Sequence, residues 1–231
     1  MTRYALYYAP PAGHPLSRLG AAVIGRDAAT GAPQSPPAVL AAADAAWIAE
    51  RAAEPRRYGF HATLKAPFRL AEGSGETDLL AALAAWAASR APVPMPRLAA
   101  GILGNFVALV PAAPCPALHD LAEAAVRDFD RFRAPPSPDE TARRRPDRLS
   151  PRERELLAAW GYPYVLDTWR FHMTLSDGLA DAADRRRFQA LALRLFSADV
   201  LAPPPVREVC LFVQDEPKAD FILRQRFGFG L

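Results

Sequence analysis

The chain has little cysteine and no long apolar run, and both scarcities exclude classes of protein. Its two cysteines, Cys115 and Cys210, have no C-x-x-C spacing and no neighbouring histidine, which argues against a structural zinc or a disulfide framework. No segment approaches the roughly 18 apolar residues of a membrane span. The N-terminus lacks the apolar region and cleavage site of a signal peptide. We therefore expect a soluble, cytoplasmic protein with no membrane partner.

Composition and charge set broad limits on size and ligands. The 231 residues are 51% hydrophobic and 23% charged, as in an ordinary globular protein of one or two domains. The net charge is +3 and the sequence pI is near 9.1. This excess favours an anionic ligand but is too small to require nucleic acid.

A five-residue segment occurs twice with only one residue changed. Phe60 to Leu64 reads F-H-A-T-L and Phe171 to Leu175 reads F-H-M-T-L, and their histidines lie 111 residues apart (172 − 61). A single H-x-T would be weak evidence, but two of the four histidines have it in matched surroundings. The half-chain spacing predicts two related lobes that each contribute one His and one Thr to a shared site.

Both segments alternate as β-strands do, so each separates its side chains onto two faces. One face carries the predicted core residues: Tyr58, Phe60, Ala62 and Leu64, and Trp169, Phe171, Met173 and Leu175. The other face carries the predicted site residues: Gly59, His61, Thr63 and Lys65, and Arg170, His172, Thr174 and Ser176.

Strands and helices alternate along the rest of the chain, which indicates an α/β or α+β fold. Strands are predicted at 3–9, 97–102, 106–110, 206–213 and 221–227, and helices at 38–53, 78–90, 117–131, 150–160 and 181–196. His14 is predicted to lie in a loop, as is segment 25–37. The Pro- and Arg-rich segment 133–149 is typical of a solvated connection, which we favour over a polyanion-binding arm.

The residue types of the repeated segments suit phosphodiester chemistry. His61 and His172 could divide proton transfer between a base and an acid, because an imidazole titrates near neutral pH. The hydroxyls of Thr63 and Thr174 could donate to non-bridging phosphate oxygens. This division of labour requires neither a metal nor a cofactor.

Three further residues are candidates for substrate binding. Lys65 and Arg170 share the site faces of their strands and could add positive charge at the phosphate. The side chain of Tyr7 could face the cleft, although a packing role is commoner for tyrosine.

These segments, their spacing and the surrounding alternation resemble the two-histidine (2H) phosphoesterase superfamily. The sequence Y-G-F-H-A-T-L-K-A-P-F at residues 58–68, with W-G-Y-P-Y at residues 160–164, further resembles the uncharacterised branch of this superfamily that is found among phosphonate-utilisation genes. The resemblance implies a bilobal, pseudo-twofold α+β fold with two mainly antiparallel sheets, outer helices and a central cleft. It also implies a metal-independent hydrolase whose His61, Thr63, His172 and Thr174 act on a cyclic phosphate or related phosphodiester.

The resulting expectation is one bilobal domain over residues 1–231. Its lobes come from approximately 1–132 and 164–231, with strand exchange left open, and 133–163 forms an insert. We expect a monomer that acts on a ribose-type phosphate ester in phosphonate metabolism. Two alternatives remain at this point: an RNA 2′,3′-cyclic phosphate end-processing enzyme, and a non-catalytic module that binds nucleotide or RNA.

Overall fold

The computed structural model describes residues 1–230, which form a mixed α/β domain. Its strands are β1 (Arg3–Tyr8), β2 (Ala62–Phe68), β3 (Leu98–Leu103), β4 (Phe106–Pro111), β5 (Met173–Thr174), β6 (Glu208–Gln214) and β7 (Ile222–Gly228). Its α-helices are α1 (Pro15–Ile24), α2 (Ala42–Ala49), α3 (Ala53–Tyr58), α4 (Glu76–Ala88), α5 (Pro116–Asp128), α6 (Pro138–Ala142), α7 (Pro151–Trp160) and α8 (Ala182–Leu195).

The seven strands form one sheet in the order β3-β4-β5-β2-β1-β6-β7, and all neighbouring strands are antiparallel. This differs from the two sheets that the resemblance implies. The sheet nevertheless has two halves, β3-β4-β5 and β2-β1-β6-β7, which meet where β2 pairs with β5 at Ala62 and Met173. Because β5 has only two residues, this junction is short.

Each half of the sheet combines strands from the first half of the chain with strands from the second half. β6 and β7 extend the sheet from β1, whereas β5 lies between β4 and β2. The N-terminal and C-terminal parts of the chain therefore build the junction together. The two repeated segments meet there because one contributes β2 and the other contributes β5.

The predicted core rows are buried except at Tyr58 and Trp169, which are half-buried. Phe60, Ala62 and Leu64 are at most 6% exposed, and they share the main core with Phe171, Met173 and Leu175. A smaller apolar cluster lies around Tyr7 and consists of Ala5, Tyr7, Ala9, Ala28, Cys210, Phe212 and Phe221. Cys115 and Cys210 are both free thiols.

Outside the insert, the helices differ from the predicted ones at two places. The predicted helix 38–53 is split into α2 and α3, and α3 extends to Tyr58, where the first repeated strand was predicted to begin. Helix α1 was not predicted. His14 caps it by accepting a hydrogen bond from the Leu16 amide at Nδ1.

Within the segment 133–163, the part predicted as a solvated connection (133–149) is mostly exposed or half-buried, and the helix predicted at 150–160 is present as α7. The whole segment is folded. It contains α6 and α7, whose N-caps Ser137 and Ser150 each form a capping box. Leu156 of α7 is buried in a third apolar cluster with Val126 of α5 and Val165. Apolar contacts with α5 therefore fix the insert against the rest of the domain. None of the helices within residues 1–230 is long and apolar enough to cross a lipid bilayer.

Candidate active site

His61 and His172 occupy equivalent positions, each one residue before a strand of the sheet junction. Ala62 pairs with Met173 in antiparallel register, so the residues on either side of this pair face one another. His61 lies across from Thr174, and Thr63 lies across from His172. Directly opposed Cβ atoms are about 5 Å apart and diagonal ones about 7–8 Å. The junction thus assembles a four-residue cluster in which each His faces the Thr of the other segment.

Both imidazoles are oriented by the same hydrogen bond. Nδ1 of His61 lies 2.8 Å from the carbonyl oxygen of Gly59, and Nδ1 of His172 lies 2.8 Å from that of Arg170. A carbonyl oxygen can only accept, so each Nδ1 must carry the proton. In the neutral ring Nε2 is then the basic nitrogen. In both segments the carbonyl belongs to the residue two positions before the histidine, so the two rings have the same tautomer.

The environment favours the neutral form of both imidazoles. Burial lowers the pKa of His61 to about 4 against the opposing hydrogen bond to Gly59, and protonation of the nearby His172 would lower it further. Burial also lowers the pKa of His172. The strand register places the two rings close to each other, and the electrostatic effect of His172 on His61 is consistent with this.

The hydroxyl of Thr63 contacts the histidine of its own segment. Its Oγ1 lies 3.3 Å from Nε2 of His61, and because Nε2 is the unprotonated nitrogen, the hydroxyl donates. The backbone carbonyl of Thr63 accepts a 2.8 Å hydrogen bond from the indole Nε1 of Trp169. Trp169 thereby fastens the chain before the second segment to β2.

Tyr7 contacts His61 directly. The two rings stack with centroids 3.7 Å apart and planes 21° from parallel, and Tyr7 pairs with Thr63 in the β1–β2 register. Tyr7 is 1% exposed, so it both packs in its apolar cluster and supports the site histidine. Burial raises the pKa of its hydroxyl well above the usual value, which keeps the phenol neutral.

Lys65 is held by protein groups rather than presented to an open cleft. Its Nζ lies 3.2 Å from Asp130 and 3.1 Å from the carbonyl oxygen of Val126, in the last turn of α5. The side chain is buried, and burial lowers its pKa to about 8 against the effect of Asp130. The position differs from the predicted one because an acidic residue and a helix C-terminus both attract an ammonium group.

Arg170 remains available at the surface. It is exposed, and its side chain has no ion pair with any group in residues 1–230. It lines a cavity of about 630 Å³ together with Trp169, Phe171 and His119. The ring centroid of Phe106 lies 5.6 Å from that of His172.

Several residues near the site were not predicted as site residues. Tyr58, predicted as a core residue, ends α3 with its ring centroid 6.4 Å from that of His61. It also lines a second cavity of about 240 Å³, which we call the arginine cavity. The walls of this cavity include Arg3, Arg57, Arg69, Arg133, Arg143 and Arg144. The triple arginine at 143–145 was the only sequence signal for this cavity, and it lies in the segment interpreted as a solvated connection.

The remaining histidines have structural partners. His14 caps α1, and Nε2 of His119 donates to the carbonyl oxygen of Leu166 at 2.8 Å. Within residues 1–230, no three His, Cys, Asp or Glu side chains are grouped as a metal site.

Comparisons with known proteins identify the family of this chain. A family model described as "Protein of unknown function (DUF1045)" matches residues 63–222. This range includes Thr63, His172 and Thr174 and begins two residues after His61.

Two relatives are both named ribose 1,5-bisphosphate phosphokinase PhnN. The one from Janthinobacterium sp. (strain Marseille) is 38% identical over 239 residues, covering 100% of this chain and 51% of the relative. The one from Laribacter hongkongensis (strain HLHK9) is 40% identical over 221 residues, covering 96% and 50%. The chain therefore spans about half the length of these curated relatives.

A solved structure titled "Crystal structure of phosphoesterase" aligns with a TM-score of 0.44 at 14% identity, covering 100% of this chain and 99% of that one. The family match itself spans 160 residues (222 − 63 + 1) of the 231. Since this is more than half of the sequence, the chain belongs to the DUF1045 family.

Proposed function

We propose that this protein is a phosphoesterase of the two-histidine type, which hydrolyses a cyclic phosphate or related phosphodiester of a ribose-type small molecule. The observation that carries the proposal is the antiparallel pairing of Ala62 with Met173. In this register two imidazoles with matching Nδ1 hydrogen bonds and two hydroxyls lie on one face of the junction. The protein then supplies both a base and an acid, so the proposed reaction is independent of a metal.

The proposed reaction is an in-line displacement at phosphorus. Nε2 of one His takes a proton from water as the water oxygen bonds to phosphorus. The bond between phosphorus and the departing sugar oxygen breaks, and Nε2–H of the other His gives that oxygen its proton. The hydroxyls of Thr63 and Thr174 donate to the non-bridging oxygens, where negative charge develops in the transition state. A ring-opened phosphomonoester is the product.

The surroundings of the two rings suggest which His has which role. His61 stacks on Tyr7, and its pKa is lowered to about 4, so it stays neutral and is suited to be the base. His172 is half-buried like His61, but its ring donates to the carbonyl oxygen of Arg170, an exposed residue that lines the cavity of about 630 Å³. It is better placed to take up a proton when an anionic substrate binds, and it is assigned as the acid.

The relatives' name bears on the substrate. A ribose 1,5-bisphosphate phosphokinase acts, by name, on a ribose phosphate, which agrees with a ribose-type substrate here. The present chain has only two lysines, Lys65 and Lys218, and neither follows a glycine. It therefore has no G-x-x-x-x-G-K-[ST] phosphate loop. For this reason we assign to this chain the phosphoesterase reaction and not the kinase reaction. A role in phosphonate metabolism is part of the proposal and rests on the motif resemblance.

The test is turnover of a panel of ribose cyclic phosphates with chelator present. H61A and H172A should each lower kcat by about 10² to 10⁴, the usual effect of removing a positioned acid or base. H14N is the matched control, because Asn preserves the helix cap and His14 lies outside the site. Undiminished hydrolysis in both H61A and H172A would rule the proposal out.

The arginine cavity favours RNA end processing as a second candidate, since a polynucleotide with a terminal cyclic phosphate would bring further phosphates to it. Hydrolysis that falls steeply with salt and requires an oligonucleotide would support this candidate. Salt-insensitive turnover of small cyclic phosphates would exclude it. The third alternative, a binding module, would show tight ligand binding with no cyclic phosphate ever opened.

A further inference from the structure

The arginine cavity is a concentrated source of positive charge beside the site. Of its thirteen lining residues, six are arginines and one, Glu140, is acidic. Arg3 comes from β1 and Arg57 from α3, whereas Arg143 and Arg144 follow α6 in the insert. Three separate parts of the chain thus direct guanidinium groups into one cavity of about 240 Å³.

Only half of these arginines are neutralised by carboxylates. Arg69 pairs with Glu140 at 3.0 Å, Arg133 with Asp130 at 2.7 Å and Arg57 with Glu54 at 3.7 Å. Within residues 1–230, the side chains of Arg3, Arg143 and Arg144 have no carboxylate within 4.0 Å.

Two of these side chains are instead placed by neutral groups. Arg3 donates to the Gln214 side chain at 2.7 Å, and the guanidinium of Arg144 lies 4.7 Å from the ring centroid of Tyr162. The Nε atom of Arg57 is buried and has no hydrogen-bond partner among the described residues. The cavity thus retains uncompensated positive charge and an unused donor.

The cavity adjoins the four-residue cluster through aromatic side chains. Tyr58 lines the cavity and lies 6.4 Å from His61 between ring centroids. Arg3 is four residues from Tyr7 on the same face of β1, a distance of about 13 Å along the strand. Arg3 and Arg144 also both lower the pKa of Tyr7 against the effect of its burial, so their charge reaches the ring that stacks on His61.

We propose that the arginine cavity is a subsite for a second phosphate of the substrate, namely a phosphomonoester on the same small molecule whose cyclic phosphate lies between the histidines. This inference rests on the proposed function and narrows it. A phosphomonoester has a charge near −2 at neutral pH and three acceptor oxygens, and planar guanidinium groups match these in pairs. The product of opening such a substrate is a bisphosphate, the class of compound in the relatives' name.

The size of the cavity favours one phosphate group over a polynucleotide. A single-stranded nucleic acid needs a groove that follows several nucleotides and platforms for stacking bases. A cavity of about 240 Å³ holds one substituent of a small ligand. A steep salt dependence with oligonucleotides would instead show that the arginines follow an RNA backbone.

The experiment compares ribose cyclic phosphates with and without a phosphomonoester on the 5-hydroxyl. The intact chain should have a higher kcat/KM for the phosphorylated member of each pair. R143Q/R144Q should reduce that preference by about 10- to 100-fold, the effect of losing one or two charge-assisted hydrogen bonds. R148Q is the matched control, because Arg148 is exposed in the same insert and does not line the cavity. Its preference should equal that of the unaltered chain.

A binding measurement tests the subsite without catalysis. Ribose 5-phosphate has the monoester but no cyclic phosphate, and calorimetry should show that R143Q/R144Q binds it about 10- to 100-fold more weakly. The H172A variant should bind it as the unaltered chain does. Equal affinity in R143Q/R144Q and R148Q would overturn the subsite even if cyclic phosphates are hydrolysed. If the unaltered chain hydrolyses no cyclic phosphate but binds ribose 5-phosphate in an arginine-dependent manner, only the proposed function is overturned. Should R143Q/R144Q unfold, the single variant R143Q, at an exposed position, provides the same comparison with one charge removed.

Discussion

At the scale of single residues, the site depends on where two hydroxyls lie relative to two imidazoles. Thr63 has its Oγ1 3.3 Å from Nε2 of His61, and Thr174 lies across from His61 in the strand register. We predict that T63V and T174V each lower kcat by about 10²-fold, because each removes one donor to the transition-state oxygens. T63S and T174S keep the hydroxyl and should retain most of the activity. Steady-state kinetics test this, and equal rates for the Val and Ser variants would contradict it.

The lowered pKa values of the site histidines also make stability depend on pH. The pKa of His61 in the folded protein is about 4, below the usual 6.5, so the unfolded chain binds more protons between these values. The contribution of the neutral, buried His61 is therefore complete above pH 6.5 and is lost as the pH falls towards 4. We predict that H61N loses less stability than the unaltered chain between pH 7 and pH 4.5. Thermal unfolding at both values measures this, and an identical loss in the two proteins would contradict it.

The residue types of the site could be predicted from the sequence because each copy of the repeat lies within a few consecutive residues. The H-x-T pairs and their core neighbours are adjacent in the chain, and alternation assigns them to opposite faces. Lys65 was misplaced for the opposite reason: its partner Asp130 is 65 residues away. Strand alternation gives the direction of the Lys65 side chain but not what it meets there.

At the scale of secondary-structure elements, the turn between α3 and β2 decides how His61 is presented. Gly59 has φ +80° and ψ 166°, a conformation nearly restricted to glycine. A Cβ at this position would lie 2.4 Å from Cβ of Ala28. The Gly59 carbonyl is also the group that orients the His61 ring. The glycine thus connects the fold of the turn to the tautomer of the histidine.

We predict that G59A destabilises the protein by about 2 kcal/mol more than G73A does and lowers kcat as well. Gly73 is the matched control, because its φ is also +80° but nothing lies within 4 Å of an added Cβ. Any difference between the two variants then reports the clash with Ala28 and the distorted turn. Thermal unfolding and turnover measure it, and equal costs in both variants would contradict this account.

The boundaries of α3 and α1 could not be read from periodicity. Helix α3 has six residues, too few for a hydrophobic pattern to separate it from the preceding helix or the following strand. Tyr58 was therefore predicted as a core residue of a strand, whereas in the structure it ends α3 and lies near His61. The four long helices α4, α5, α7 and α8 were predicted because each repeats its apolar positions over several turns or begins at a clear cap.

At the scale of the whole molecule, one sheet replaces the two that the resemblance implies. Hydropathy patterns locate strands but do not give their neighbours, and the join between the halves is the single pair of Ala62 and Met173. That join lies inside the repeated segments. The same few residues therefore unite the sheet and form the site.

The insert 133–163 shows a similar limit of prediction from the sequence. The composition of 133–149 is Pro- and Arg-rich, which is typical of a solvated segment. Its order comes instead from apolar residues that follow, such as Leu156 and Val165, in contact with Val126 of α5. Once held there, its arginines face a cavity shared with β1 and α3. Composition alone does not reveal such an arrangement.

The central claim, that two imidazoles from distant parts of the chain bind one phosphate, is tested most directly by histidine NMR. The protein has four histidines, so their ¹⁵N imidazole signals can be followed individually while inorganic phosphate is added to the intact chain. We predict that the Nε2 signals of His61 and His172 shift together with one dissociation constant, while those of His14 and His119 stay in place. Shifts of only one site histidine, or of the two with different dissociation constants, would contradict the account.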